Sequence, residues 1–165
     1  MSISQCPCSL LVGEPWTGSV AWAWGMPLIM LTVLIHVLGF GLARRSVLRA
    51  SKHLVQYRHP EVMFVMVVGL MTLLAAGLHA IEASIWAGAY RFLGALPDYR
   101  SAMLYSLNAM TSYGHTNLRL DERWHLMGAM EALNGWLLFG LSTAFLFAVV
   151  GRAFSSLDRR EHNGS

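Results

Sequence analysis

The sequence is short of charge. Only 13% of its 165 residues are Asp, Glu, Lys or Arg, against roughly 25% in an ordinary soluble domain. With 55% hydrophobic residues and a mean hydropathy of +0.47, this excludes a disordered chain and an ordinary soluble enzyme. Lysine is nearly missing, since eleven of the twelve bases are Arg and Lys52 is the exception. The excess of +3 falls in short stretches between apolar runs, so no nucleic-acid partner is expected. The first 43 residues contain no Lys or Arg, so the basic n-region of a signal peptide is lacking and no cleavage is expected. Cysteine is confined to Cys6 and Cys8, too few for a disulfide framework. Cys-Pro-Cys is a weak signal for a vicinal disulfide or a metal ligand, and two dispensable thiols are the simpler reading. There are no internal repeats or low-complexity tracts, and the length suits one domain.

What the sequence has instead is three long apolar runs, 20–43, 62–90 and 126–150. Each exceeds the roughly 20 residues that cross a bilayer as a helix, the conformation that satisfies its own backbone in lipid. The expected class is therefore an all-α integral membrane protein with the lipid bilayer as its partner. Basic residues set the orientation. Arg44, Arg45, Arg49, Lys52 and Arg58 fill the linker 44–61, and Arg152, Arg159 and Arg160 lie in the tail. Only Arg91, Arg100, Arg119 and Arg123 lie between runs two and three, offset by Asp98, Asp121 and Glu122. The positive-inside rule then puts the linker and the 154–165 tail in the cytoplasm and segment 1–19 outside, in a multi-pass protein of the inner (plasma) membrane. Trp16, Trp22, Trp24, Trp86, Tyr90, Trp124 and Trp136 cluster near run ends, and six of the seven suit the outer interface.

The stretch from Arg91 to His125 is neither a tight turn nor uniformly polar. Its middle, Ser101-Ala-Met-Leu-Tyr-Ser-Leu-Asn-Ala-Met-Thr-Ser112, is an apolar run too short to span, which suggests a re-entrant or interfacial helix. Pro97-Asp98 is a suitable start, and Tyr113-Gly114 breaks the run. Short helix, non-helical stretch, polar exit and spanning helix together outline a pore loop.

The run Ala102-Met-Leu-Tyr-Ser-Leu-Asn-Ala-Met-Thr-Ser-Tyr-Gly-His115, followed by Glu131-Ala-Leu-Asn-Gly-Trp-Leu-Leu-Phe-Gly-Leu-Ser-Thr-Ala144, resembles the pore-loop potassium channel superfamily. Small bacterial two-helix channels end this run Thr-x-Gly-Tyr-Gly-Asp. The resemblance covers 62–153 and implies an outer helix 62–90, a pore helix 101–112, a filter 110–115 and an inner helix 126–150. Helix 20–43 is additional to the two-helix plan. Anchored on Tyr113-Gly114, the filter reads Met110, Thr111, Ser112, Tyr113, Gly114, with Met110 at the threonine position, Ser112 at the first glycine and His115 at the aspartate. A second register puts Thr111 at the threonine position with one residue deleted. Either way the filter is degenerate. A filter aims carbonyls at a dehydrated ion through backbone angles that glycine adopts and residues with a Cβ avoid. The resemblance implies passive conduction of a monovalent cation, K+ by analogy, through a homotetramer, with no enzymatic activity and no resident cofactor.

Other side chains acquire expected roles. Four copies of His115 would ring the outer mouth and titrate near pH 6–7. Glu131 lies about 7–8 Å into run three, and Asn134 one turn further, so the pair is expected to support the filter or pore helix. His79 and Glu82 are expected to brace segment two against the pore helix. Read instead as a metal half-site, the pair would need further carboxylates, of which only Glu131 is available. Haem held by His36 and His79 is discounted, because counting along the runs puts the two at different depths. Gly135 and Gly140 are candidate gating hinges or close-packing positions, with a hydrophobic constriction below. Arg residues do not repeat along run one, so no arginine-ladder voltage sensor is expected. The alternatives are a non-conducting scaffold or accessory subunit of the same fold, or a metal- or haem-dependent membrane redox protein using His79, Glu82 and Glu131.

Overall fold

Apolar runs of this length become helices wherever Gly and Pro do not stop them. The computed structural model, which describes residues 15–54, 60–114 and 118–163, carries α1 (Pro15–Leu54), α2 (Pro60–Phe92), α3 (Tyr99–Thr111), a 3-10 turn (Glu122–Trp124) and α4 (His125–Asn163). Among the described residues there is no strand. Three helices are long and apolar enough to cross a membrane, over Gly18–Arg45, Phe64–Phe92 and Glu122–Gly151. Two of them outrun the apolar segments that announce them. α1 continues through most of the basic linker to Leu54, and α4 through most of the tail to Asn163. Arg, Leu, Ala and Lys are good helix formers, so loss of hydrophobicity does not end a helix.

The register follows from cross-helix neighbours. A Cβ on Gly25 of α1 would meet Met130, Asn134 bonds Thr32, and Ser142 bonds His36. Both sets of numbers rise together, so α1 and α4 run parallel. Gly39 faces Leu78 and His36 meets Glu82, while Tyr90 bonds Glu131 and His79 bonds Ser142, so α2 runs antiparallel to both. The N-terminal ends of α1 and α4 therefore share one end of the bundle with the 93–124 connection, opposite the arginine-bearing end of α1. α3 packs between α2 and α4, whereas α1 touches α2, α4 and the 3-10 turn but not α3.

Three of the expected interfacial rings are core residues. Trp86 and Tyr90 are fully buried and Trp124 nearly so, in a cluster with Ala102, Tyr105, Leu120 and Met127. The cause is α3, which covers the C-terminal end of α2 and turns that end into protein interior. Trp22, Trp24 and Trp136 do stay exposed. A second cluster lies further along the bundle, where Phe40 stacks on Phe145 at 4.2 Å between centroids beside Ala75 and Leu78.

Candidate functional site

α3 is built to begin firmly and end abruptly. Asp98 caps it from an extended conformation, its carboxylate accepting from the Ser101 N–H at 2.9 Å and the Ser101 hydroxyl at 2.7 Å. These hydrogen bonds, the backbone one foremost, hold the Asp98 carboxyl below its usual pKa. One face of α3, made of Ala102, Tyr105, Ser106, Ala109 and Met110, is buried at helical spacing. The helix stops at Ser112, whose φ of 53° and ψ of 25° are left-handed. It is the one non-glycine with positive φ among the described residues. Its N–H donates to the Ala109 carbonyl, and that of Tyr113 to the Asn108 carbonyl. A Cβ makes this conformation costly, and glycine is its usual occupant. Ser112 is held there by the Trp136 indole N–H, which donates to its hydroxyl at 2.7 Å.

That bond also fixes the level at which α3 ends. Trp136 lies fourteen residues from Glu122 and fifteen from Gly151, the middle of the apolar span of α4. Between its ends α3 descends beside α4 in step with it. Tyr105 lies against Gly128, Ser106 bonds Glu131, and Met110 lies against Gly135. A Cβ on Gly135 would run into the Met110 backbone, and one on Gly128 into the Tyr105 hydroxyl. Both glycines therefore admit α3 to α4, and Gly135 is a close-packing position. Gly140 has open space around it. After Gly114 the chain climbs back, so that Leu120 packs 3.3 Å from the Cβ position of Gly128.

Thr111, Ser112, Tyr113 and Gly114 are exposed at this tip, Tyr113 by 86%. Met110 is not part of that lip. Its side chain is buried with Ala83 and Leu138 inside the last turn of α3. His115, together with Cys6 and Cys8, lies outside the described residues.

Behind the tip stands a buried carboxylate. Glu131 is fully buried and accepts from the Tyr90 hydroxyl at 2.7 Å and from the Ser106 hydroxyl, joining α4 to α2 and α3. Ser106 also reaches the Ala83 carbonyl at 2.8 Å. The expected support of α3 by Glu131 thus has a defined geometry. Asn134 is one turn on but serves another interface, donating to the Thr32 hydroxyl of α1 at 2.9 Å.

His79 and Glu82 likewise face away from α3. Glu82 Oε1 lies 2.7 Å from His36 Nδ1, and Ser142 Oγ lies 3.0 Å from His36 Nε2 and 3.1 Å from His79 Nε2. The reason is helical rotation. Ala83 accepts from α3, and Glu82, about 100° around α2, points to α1. The depth argument that separates His36 from His79 does not hold either. Because α1 runs on to Leu54, His36 is eighteen residues from that end and His79 nineteen from the start of α2. Their rings lie 5.1 Å apart, and a porphyrin has no slot between them once Glu82 and Ser142 are in contact with both. Glu131 is eleven residues up α4 from Ser142, about 16 Å, and takes no part in this cluster. His36, His79 and Glu82 are the one group of three potential ligand side chains that come together among the described residues, with a donor atom of each within 4.8 Å of the others.

Sequence reasoning misses Ser106, Tyr90, Thr32 and Ser142, the partners that complete these contacts. A polar residue inside an apolar run is their only advance signal. No family model, curated protein or solved structure matches this chain.

Proposed function

We propose that the protein is a potassium-channel-like passive cation pore made of several copies of this chain, four by analogy with the pore-loop plan. One observation carries the reading. α3 enters beside α4, ends level with the middle of that helix's apolar span, and leaves the non-helical residues 112–114 exposed behind it. Non-helical backbone at membrane depth persists only when covered by protein or lining an aqueous path. A single chain supplies neither, whereas copies meeting around an axis supply both.

In this reading α3 is a re-entrant pore helix, and Thr111 to Gly114 present carbonyls to the axis. No basic residue stands in the last turn of α3, so the negative end of its dipole is free to favour a cation. Glu131, through Ser106 and Tyr90, fixes the depth of α3, and α4 lines the path below it. The basic ends of α1 and α4 lie in the cytoplasm, the 93–124 connection outside. Ser112 at the first glycine position makes the filter less regular than a potassium filter, so modest discrimination between K+ and Na+ is expected.

Purified protein in liposomes loaded with K+ tests this directly. Downhill K+ flux, smaller or equal Na+ flux, and an oligomer by native mass spectrometry are expected. A monomer that passes neither ion would leave the scaffold reading in its place.

A further inference from the structure

The cluster of His36, His79, Glu82 and Ser142 is not used by the pore. We propose that it is an intramembrane site for one divalent transition-metal ion of the zinc class, held by His36, His79 and Glu82 and oriented by Ser142. Three observations carry this, and none depends on conduction.

The first is the donor set. Two imidazoles and a carboxylate suit zinc and its neighbours, and three protein ligands leave a coordination position open. Atoms sharing an ion at roughly 2.0–2.2 Å each stand roughly 3 Å apart. Here Glu82 Oε1 is 2.7 Å from His36 Nδ1, and Oε2 is 3.3 Å from His79 Nδ1.

The second is an orphan. Glu82 is fully buried, and its Oε2 accepts no hydrogen bond from any described residue, although His79 Nδ1 is near. A buried carboxylate oxygen left without a donor is costly. It points at the place where an ion would sit.

The third is the tautomer that Ser142 permits. With each ring carrying its proton on Nε2, both N–H groups donate into the two lone pairs of Ser142 Oγ, at 3.0 and 3.1 Å. In the other tautomer His36 Nδ1–H donates to Glu82 Oε1 at 2.7 Å; in this one both Nδ1 lone pairs and both Glu82 oxygens face one another, open to an ion. Ligating histidines commonly donate their second N–H in this way, and that partner sets ring orientation. The His79 side chain is 24% exposed, while those of His36 and Glu82 are fully buried. The site would pin α1 to α2 and α4, the helix that the pore-loop plan does not supply.

The test uses the full chain in detergent, stripped with chelator and titrated with Co2+ and then Zn2+. One equivalent of Co2+ per chain is expected, giving a visible ligand-field spectrum displaced by Zn2+. His36→Gln and Glu82→Gln should weaken binding at least 100-fold. Ser142→Ala should weaken it about 10–100-fold, the usual range for a ligand-orienting partner. His125→Gln, at the other end of the bundle, should bind like the wild type. X-ray absorption on the Zn2+-loaded wild type should count two imidazoles per metal, a readout that stands if a variant fails to fold. Absence of stoichiometric binding overturns the proposal, as does binding unchanged by His36→Gln and Glu82→Gln. In either case a shared proton is left to balance Glu82. Metal content reads this site and ion flux reads the pore, so failure of one is distinguishable from failure of the other.

Discussion

Glu131 shows what one residue can decide. It joins three helices through Tyr90 and Ser106, at the level where α3 is fixed beside α4. In Glu131→Leu the Tyr90 hydroxyl loses its acceptor, while Ser106 keeps the Ala83 carbonyl. The expected cost is about 1–3 kcal/mol, the penalty of one orphaned buried group. Adding Tyr90→Phe should recover most of it. Denaturation of the detergent-solubilised protein, followed by circular dichroism, checks both steps, and a double variant no more stable than the single one contradicts this account. The glycines separate in the same assay. Gly135→Ala drives a methyl into the Met110 backbone and should cost about 1–3 kcal/mol, as overpacking does. Gly140→Ala meets open space and should raise stability by up to about 1 kcal/mol from helix propensity. At Asp98 the carboxyl is held below its usual pKa by the Ser101 N–H. Its contribution is therefore full above the unfolded value of about 3.9 and is lost as pH falls through the lower folded value. Asp98→Asn should keep the cap and remove that acid dependence.

At the scale of elements, the helices were legible and their partners less so. The length of the apolar runs announced α1, α2 and α4 without their full extent, and Pro97-Asp98 with the break at Tyr113-Gly114 set α3 to within two residues at its start. The cap worked because it is local, with Asp98 and Ser101 three residues apart. Glu131 was legible as a depth, because distance along one helix is 1.5 Å per residue. Its partners Tyr90 and Ser106 were not, since helix rotation and the register between distant elements decide them. His36 illustrates the same limit. Counting from residue 43, where the apolar run ends, misplaces it, and counting from Leu54, where α1 ends, sets it level with His79. The α1–α4 interface offers its own check. Thr32→Val leaves the Asn134 amide buried without the acceptor it uses and should cost about 1–3 kcal/mol. Thr32→Val combined with Asn134→Leu removes both polar groups and should lie closer to the wild type. A double variant that merely sums the single costs would show the pair to be uncoupled.

For the whole molecule, the question is what covers the faces that one chain leaves open. Leu133, Trp136, Leu137, Phe139, Leu141 and Phe147 are all exposed on α4, and Trp136 meets the tip at Ser112. Lipid can cover the side chains, but it cannot satisfy the backbone of the tip. In the proposed pore, self-association with the tips together would do both. His115 follows Gly114 in the chain, so four copies would crowd imidazoles at the mouth. Currents should then fall as external pH drops below about 6.5, the ordinary His value, and His115→Asn should abolish the effect. The central claim is that Thr111 to Gly114 line an ion path, and thiol modification tests it most directly. In liposomes containing Tyr113→Cys protein made without Cys6 and Cys8, a charged methanethiosulfonate reagent added outside should stop K+ flux. Leu73→Cys, an exposed position on α2 remote from the tip, should be unaffected. Flux that persists through full modification of Tyr113→Cys, or no flux before modification, would contradict it.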